Sequence, residues 1–537
     1  MKRRMPILLS GLLAAVMFTG CNGASSNAGS SPASSKTASF SLNEDVQELD
    51  PTLNVYNTSS TVLQNLFRGL YKLDASNTPV PAYAESYTLD PTGTVYTFKL
   101  RAGAKWSDGS PLTARDFEYS IKRVANPDVA SKAANEVSMI KGAQEYFENI
   151  GAADQMGVKA LDDATLEITL NAPVPYFMSS LCTTTFYPVK KELVESGDSW
   201  KKDASTYVCD GPFMMKEIKP NEKYVMVKNP NYIDADKVKL DGITAYVMET
   251  PEAELAAYLN NEIDVSKNPS AQAVQQFKDN PELHFIDKLN LYYFDINTLN
   301  KPFDDPRVRK ALSQAIDRNL IINNILQMPY KPANGVLPAG IPDLNDPSKS
   351  FSDSAGNLVK EDAVDAKKLL ADAGYPDGKG FPTINFMTNT AQANKDIAQA
   401  VQSMWKDNLG INTEVTTYES AVYWNEQEAG GFDIMYDGWT GDYLDPMTFM
   451  DLFDKQRQSY QTRWANNEYS QLIAANKVTG DQAIRMENFI NAERILMDEM
   501  PVIPIYFGVE PYLCKPDLQG VFKNFIGHLY FEYASFS

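Results

Sequence analysis

Three carboxylates, Asp437, Asp442 and Asp445, stand close together with two aromatics, Trp439 and Tyr443, and two glycines, Gly438 and Gly441. The stretch reads Phe432-Asp433-Ile434-Met435-Tyr436-Asp437-Gly438-Trp439-Thr440-Gly441-Asp442-Tyr443-Leu444-Asp445-Pro446. Its start alternates like a short strand, and the pattern then breaks into a Gly-rich turn. That turn is too apolar for an ordinary surface loop and too acidic for plain core. Asp442 sits between Gly441 and Tyr443, with Trp439 near in sequence. A carboxylate held against aromatic walls suits a ligand that carries an ammonium group. The residues alone fit equally well a half-exposed loop whose acids face water.

Catalytic chemistry finds little support. The chain has two histidines, His284 and His528, far apart in sequence, read as satisfied structural or exposed rings. Neither H-E-x-x-H nor G-x-S-x-G occurs, and no G-x-x-x-x-G-K-[ST] phosphate loop is present. Asp442 and Asp445 could imitate a catalytic acid pair. Tyr443-Leu444 between them and Pro446 after them favour turn and cleft roles instead. No catalytic residue, metal site or cofactor is therefore expected. The formal charge is -20, and -23 once Lys2, Arg3 and Arg4 are discounted, which argues against nucleic-acid binding and mildly favours cationic ligands. Cys182, Cys209 and Cys514 are the cysteines beyond Cys21. The odd number excludes complete internal pairing, and Cys182–Cys209 is the pair expected if a disulfide forms.

The elements that must position the acidic stretch read as mixed α/β. A helix is predicted over 62–70, where Leu63, Leu66, Phe67 and Leu70 share a face. Alternation predicts strands over 94–100, 165–170, 224–228 and 243–248. Thr113 and Asp116 form an imperfect capping box ahead of Phe117, Ile121 and Val124. Residues 291–297 are strongly β-prone. Asp305-Pro306 is a good cap and first residue for an amphipathic helix through Ile316. The segment 362–437 then reads helix, strand, helix, strand, helix, strand. Such open units bind ligands at the C-terminal ends of strands, which is where residues 438–443 fall. Residues 502–507 are β-like after a helix-rich stretch.

The N-terminus sets the compartment. Lys2, Arg3 and Arg4 precede an apolar run from Ile7 to Phe18 that is too short to span a bilayer but suits a secretory signal. Thr19-Gly20-Cys21 resembles a lipobox, in which cleavage leaves a lipid-modified Cys21 at the new terminus; Phe18 replaces the usual Leu. Several acyl chains on one residue give stable anchoring. Residues 22–39, rich in Ser, Ala, Asn and Gly, read as a flexible tether.

Three motifs in this order, behind a lipobox, carry a family resemblance: Trp106-Ser107-Asp108-Gly109 through Phe117, Pro302-Phe303-Asp304-Asp305-Pro306-Arg307-Val308-Arg309-Lys310-Ala311-Leu312, and 439–446. The chain resembles extracytoplasmic solute-binding proteins of the oligopeptide/dipeptide-binding group, family 5, which serve ABC importers. The resemblance covers essentially everything after the tether. It implies an α/β periplasmic-binding-protein type II (class C) fold, with two lobes, three domains and a ligand cleft between lobes. Mapped here, 1–20 is the signal peptide and 21–39 the lipidated Cys and tether. Domain I holds 40–67, 192–289 and 503–537, domain II 68–191, and domain III 290–502. Two crossing strands near 289–297 and 501–507 would form the hinge.

The resemblance also implies site residues. Asp442 matches the acid that pairs with a peptide α-ammonium, and Trp439 matches a cleft aromatic; Gly441 and Tyr443 flank the acid. Tyr436 stands where some long-peptide binders carry an Arg for the peptide carboxylate, so that ion pair is lost and ligand length is open. Asn394 matches a His that can serve a longer peptide. Asn290 and Thr440 occupy positions bridged by a disulfide in some relatives. The implied partners are short peptides with a free N-terminus, ABC permease and ATPase subunits on other chains, and the membrane through the lipid anchor, with the protein itself a monomer. Two other readings stay open: a peptide-sensing lipoprotein without an import role, and the same fold binding a non-peptide solute such as a sugar or a metal chelate.

Overall fold

The computed structural model describes residues 36–454 and 462–537; the signal segment, Cys21 and nearly all of the tether lie outside the described residues. Residues 37–39, expected as tether, already belong to a strand. Thr37–Leu42 (β1) places Ala38, Phe40 and Leu42 in the core, and it pairs in parallel with Gly242–Val247. The ladder and the burial of alternate residues override the small-residue composition.

In chain order the further strands are Ala84–Leu89 (β2), Val95–Leu100 (β3), Val158–Asp162 (β4), Thr165–Thr169 (β5), Phe213–Lys219 (β6), Lys223–Lys228 (β7), Gly242–Val247 (β8), Val265–Ser266 (β9), Leu283–Ile296 (β10), Ile384–Asn389 (β11), Thr413–Tyr418 (β12), Ile434–Thr440 (β13) and Val502–Cys514 (β14). One large mixed sheet runs β12-β11-β13-β10-β14-β9-β1-β8-β7-β6, and a smaller antiparallel sheet runs β2-β3-β5-β4. β10 and β14 carry the chain across the large sheet. They pair from Leu283↔Leu513 to Asp295↔Val502, with irregularities between Asp287 and Leu291 and between Tyr292 and Tyr293. At the first irregularity the Gly508 N–H donates to Asn290 Oδ1 (2.9 Å), a side chain standing in for the ladder. A Cβ at position 508 would collide with that same oxygen and displace the Asn290 side chain from this bond.

The helices that matter for the site are Asn57–Leu66 (α1), Ala114–Val124 (α2), Pro306–Gln314 (α3), Gln392–Leu409 (α4), Ser420–Ala429 (α5) and Gln482–Glu499 (α6). α1 starts and stops earlier than the apolar spacing suggests. Leu63, Leu66, Phe67 and Leu70 are all buried, but the backbone after Leu66 is engaged elsewhere: the Arg68 N–H donates to the Asp210 carboxylate (3.1 Å). α2 has the expected cap, with Asp116 Oδ2 accepting from the Thr113 N–H (2.7 Å). α3 is capped by Asp305, which accepts from the Arg307 N–H (2.8 Å). Gly410, at φ +73°, ends α4 in the left-handed region open to glycine.

The C-terminal residues return to the start of the chain. Buried Glu532 pairs with Arg68 (2.9 Å) and Lys72 (2.6 Å) and accepts from the Tyr232 hydroxyl (2.8 Å). Against the upward push of burial, the two cations hold this carboxyl down to about 2.

The Cys182–Cys209 bridge is not formed. Cys182, Cys209 and Cys514 are free and buried. Each of the first two thiols has its own backbone acceptor, Met178 O for Cys182 and Phe213 O for Cys209 (both 3.4 Å), and burial pushes both well above the usual thiol range.

Candidate functional site

The strand that aims the acidic stretch is longer than its sequence pattern. β13 continues through Gly438 and Trp439 to Thr440, so Trp439 is a strand residue and the turn begins only at Gly441. The antiparallel ladder with β10 explains the extension: pairing runs from Ile296↔Ile434 to Asn290↔Thr440. Gly438 permits it, because a Cβ there would press on the Tyr292 ring at 2.9 Å. Gly441 is buried, its N–H donates to Leu289 O (2.7 Å), and an added Cβ would meet Leu289 and Thr448 side chains within 3.0 Å. Its smallness therefore serves packing of the turn as well as the cleft wall.

The three acids of the stretch have separate surroundings. Asp445 is buried and forms a two-pronged pair with Arg485 of α6, Oδ1 to Nη2 at 2.7 Å and Oδ2 to Nη1 at 2.8 Å; Oδ1 also accepts from the Met447 N–H (3.0 Å). It fastens the exit of the turn. Asp437 points toward buried Asp295, and burial followed by the facing carboxylate raises Asp295 well above the usual range. Two carboxylates facing one another in that setting cannot both ionise cheaply. Asp442 is exposed; its backbone N–H donates to Thr448 Oγ1 (2.9 Å).

Asp442 opens into a cavity of 720 Å³ lined by Thr440 at the end of β13, by Gly441 and Tyr443 from the turn, and by residues of 54–64, 132–139, 176–186 and 524–528. The walls thus come from distant parts of the chain. Tyr443 stacks face to face on Tyr176, ring centroids 3.8 Å apart and planes within 8°. Two smaller compartments follow, the first sharing Thr440 with this cavity. One of 270 Å³ is lined by Asn394, Tyr436, Trp439, Thr440 and Trp424; the next, of 240 Å³, shares Asn290 and Tyr292 with it and adds Lys288, Tyr330 and Glu510.

Tyr436 and Asn394, distant in sequence, therefore meet in one compartment. The Tyr436 and Tyr506 hydroxyls share a hydrogen bond (2.7 Å), and Tyr506 stacks on Tyr292 and Tyr330. Asn394, in the first turn of α4, donates to Asn389 Oδ1 (2.9 Å). Lys288 pairs with Glu510 (2.8 Å), as does buried Lys523 (2.5 Å). A wider groove of 1290 Å³ along α2 contains none of the expected site residues. Its charges are partly paired among themselves, as in Lys122–Glu118 at 2.6 Å.

Among the described residues no group of His, Cys, Asp and Glu could hold a metal, and no helix is long and apolar enough to cross a membrane. His284 is exposed and stacks on Tyr512. His528 departs from the reading of a satisfied ring: it is buried, lines the 720 Å³ cavity, and neither ring nitrogen has a hydrogen-bond partner. Glu136 and Tyr176 also line this cavity and were not singled out from the sequence, since the turn they face lies some 260 residues or more further along the chain.

The chain is similar in sequence and fold to known proteins. Residues 78–461 match the model of bacterial extracellular solute-binding proteins, family 5. The oligopeptide-binding protein OppA of Bacillus subtilis is 33% identical across 100% of both chains. The probable deoxycholate-binding periplasmic protein YgiS of Escherichia coli is 32% identical over 90% of each chain. A solved structure of the periplasmic murein tripeptide-binding protein MppA, in its unliganded open form, superposes with a TM-score of 0.83 and 31% identity, covering 94% of this chain and 98% of that one. A cleft assembled from both ends of the sequence, with a turn-borne acid in its wall, is thus carried by a chain that belongs to the family 5 bacterial extracellular solute-binding proteins, with their type II binding-protein fold.

Proposed function

We propose that this protein captures short peptides with a free N-terminus outside the cytoplasm and hands them to an ABC importer whose permease and ATPase subunits are other chains. The observation that carries this reading is Asp442: an acid exposed in a 720 Å³ cleft, on a turn held rigid by the Asp445–Arg485 pair. In that position Asp442 is the counter-charge for the peptide α-ammonium. Trp439, Gly441 and Tyr443 form the walls beside it, and Tyr436 and Asn394 receive the peptide further along. β10 and β14 serve as the hinge between domains I and III, bounded as the family resemblance implies, and closure buries the ammonium–carboxylate pair. Cys21 carries the lipid anchor, residues beyond it the tether, and the protein acts as a monomer.

Native mass spectrometry of the protein as purified, followed by sequencing of what it releases, tests the ligand class. Peptides are the expected cargo; a sterol, sugar or metal chelate in their place would refute the reading. Calorimetry with one peptide and its N-acetylated form tests the anchor. Acetylation removes the charge that Asp442 meets, so affinity should fall by about 30-fold or more.

A further inference from the structure

The cleft that holds Asp442 contains a second acid. Glu136, in the short turn Ala134–Val137, lines the same 720 Å³ cavity. Its Oε2 accepts from the Thr185 hydroxyl (2.6 Å), and no ion pair to it occurs among the described residues. The side chain is open to the cleft, yet the walls crowd it: burial pushes its carboxyl up, Thr185 opposes this, and the Asp442 charge adds to the rise. The two carboxylates thus feel one another through the space a ligand would fill.

A neutral imidazole borders the same compartment. His528 is only 5% exposed and lines the same cavity, and both of its ring nitrogens lack partners. Burial, with Lys267 and Lys523 adding to it, lowers this imidazole to about 3, so it is neutral and offers one donor and one acceptor. Among the described residues lining the cavity the one lysine is Lys132, which is solvent-exposed and lies over the Tyr56 ring at 6.0 Å.

We infer that this compartment takes the first side chain of the bound peptide and selects a cationic one, lysine or arginine, with Glu136 as its counter-charge while Asp442 holds the α-ammonium. The inference rests on the peptide reading above and adds to it a preference at one position. An apolar first residue would leave Glu136 desolvated on closure without a partner, whereas a cation satisfies it.

The test is calorimetry near neutral pH with Lys-Ala-Ala and norleucine-Ala-Ala, and with each extended by two alanines, on the wild type, Glu136→Gln and Glu136→Lys. The wild type should bind the lysine peptides about tenfold or more tighter than the norleucine ones. Glu136→Gln should abolish that ratio by weakening the lysine peptides alone, and Glu136→Lys should favour Glu-Ala-Ala. Unchanged melting temperatures verify folding of each variant. Equal affinities for lysine and norleucine peptides in the wild type would overturn the inference and leave peptide binding intact. Equal weakening of both by Glu136→Gln would also overturn it. Failure of every free-amine peptide to bind would instead remove the peptide reading, and the inference with it.

Discussion

Two acids three residues apart, Asp442 and Asp445, should respond in opposite ways to the same kind of substitution. Asp445 is 3% exposed and grips the Arg485 guanidinium through both oxygens, at 2.7 and 2.8 Å. Arg485 is itself buried, with a further bond to Gln482 (3.0 Å) and its guanidinium carbon 5.1 Å from the Phe489 ring centroid. Asp445→Ala strands that cation in the interior, at a cost of about 3–5 kcal/mol. This is a large part of the roughly 5–15 kcal/mol that holds a typical domain together. Asp442 is exposed, so Asp442→Asn should alter stability by about 0.5 kcal/mol or less. Its effect should appear in affinity for a free-amine peptide, a loss of about 2–5 kcal/mol, or about 30- to several-thousand-fold. Urea unfolding and calorimetry on the same two variants separate these effects. A third variant isolates the cause: replacing the pair together, Asp445→Leu with Arg485→Met, should regain most of the stability, because an apolar pair needs no counter-charge. An Asp445→Ala protein of unchanged stability, or an Asp442→Asn protein that unfolds early while binding normally, would refute the division of labour.

Other groups give independent checks. Glu532, held down to about 2 against an ordinary 4.5, contributes stability that is present above the unfolded value and lost as pH falls through about 2, roughly 3 kcal/mol in all. Unfolding followed from pH 5 to pH 2 should show that loss, and Glu532→Gln should flatten it. Glu493 of α6 is the reverse case: burial raises it to about 7, while the Val336 N–H it accepts (2.8 Å) opposes the shift. Its contribution is complete below about 4.5 and lost as pH rises through about 7. Glu493→Gln should match the wild type at pH 4 and exceed it by roughly 3 kcal/mol at pH 8. Asn290 and Thr440 face each other across β10 and β13, so Asn290→Cys with Thr440→Cys should form a bridge under air oxidation, seen as a mass loss of two hydrogen atoms; two stable free thiols would show that the register differs.

How much of this was legible in the sequence depended on the range of the forces involved. The cap at Asp305-Pro306, the Thr113–Asp116 box and the Gly410 stop are set within one turn of chain, and they appear where their residue types put them. The end of β13 did not, because Gly438 reads locally as a turn. Its strand conformation comes from the Tyr292 ring and the β10 ladder, which lie far off in sequence. α1 stopped short for the same reason, its continuation overruled by Asp210. The signs of chemistry at Asp442, Trp439 and Tyr443 were local, but choosing Asp442 among three acids required the family resemblance. The structure separates the surroundings of the other two acids: Asp445 pairs with buried Arg485, and Asp437 faces buried Asp295.

That separation bears on how such a cleft changes its ligand. The turn is fixed from behind, by Arg485 on α6, by Thr448 and by the Leu289 carbonyl. None of these contacts involves the residues in front that differ most in chemical type: Glu136 and His528 at one end, Tyr436 and Asn394 at the other. Substitutions in front therefore need not disturb the anchor, since sites without shared partners act almost additively. The argument yields a sharp expectation for a double-mutant cycle. Glu136→Gln and Arg485→Met should give additive changes in stability, within about 0.5 kcal/mol, whereas Asp445→Ala and Arg485→Met should be strongly coupled. Coupling between Glu136 and Arg485 would mean that the front of the cleft and the back of the turn are one unit.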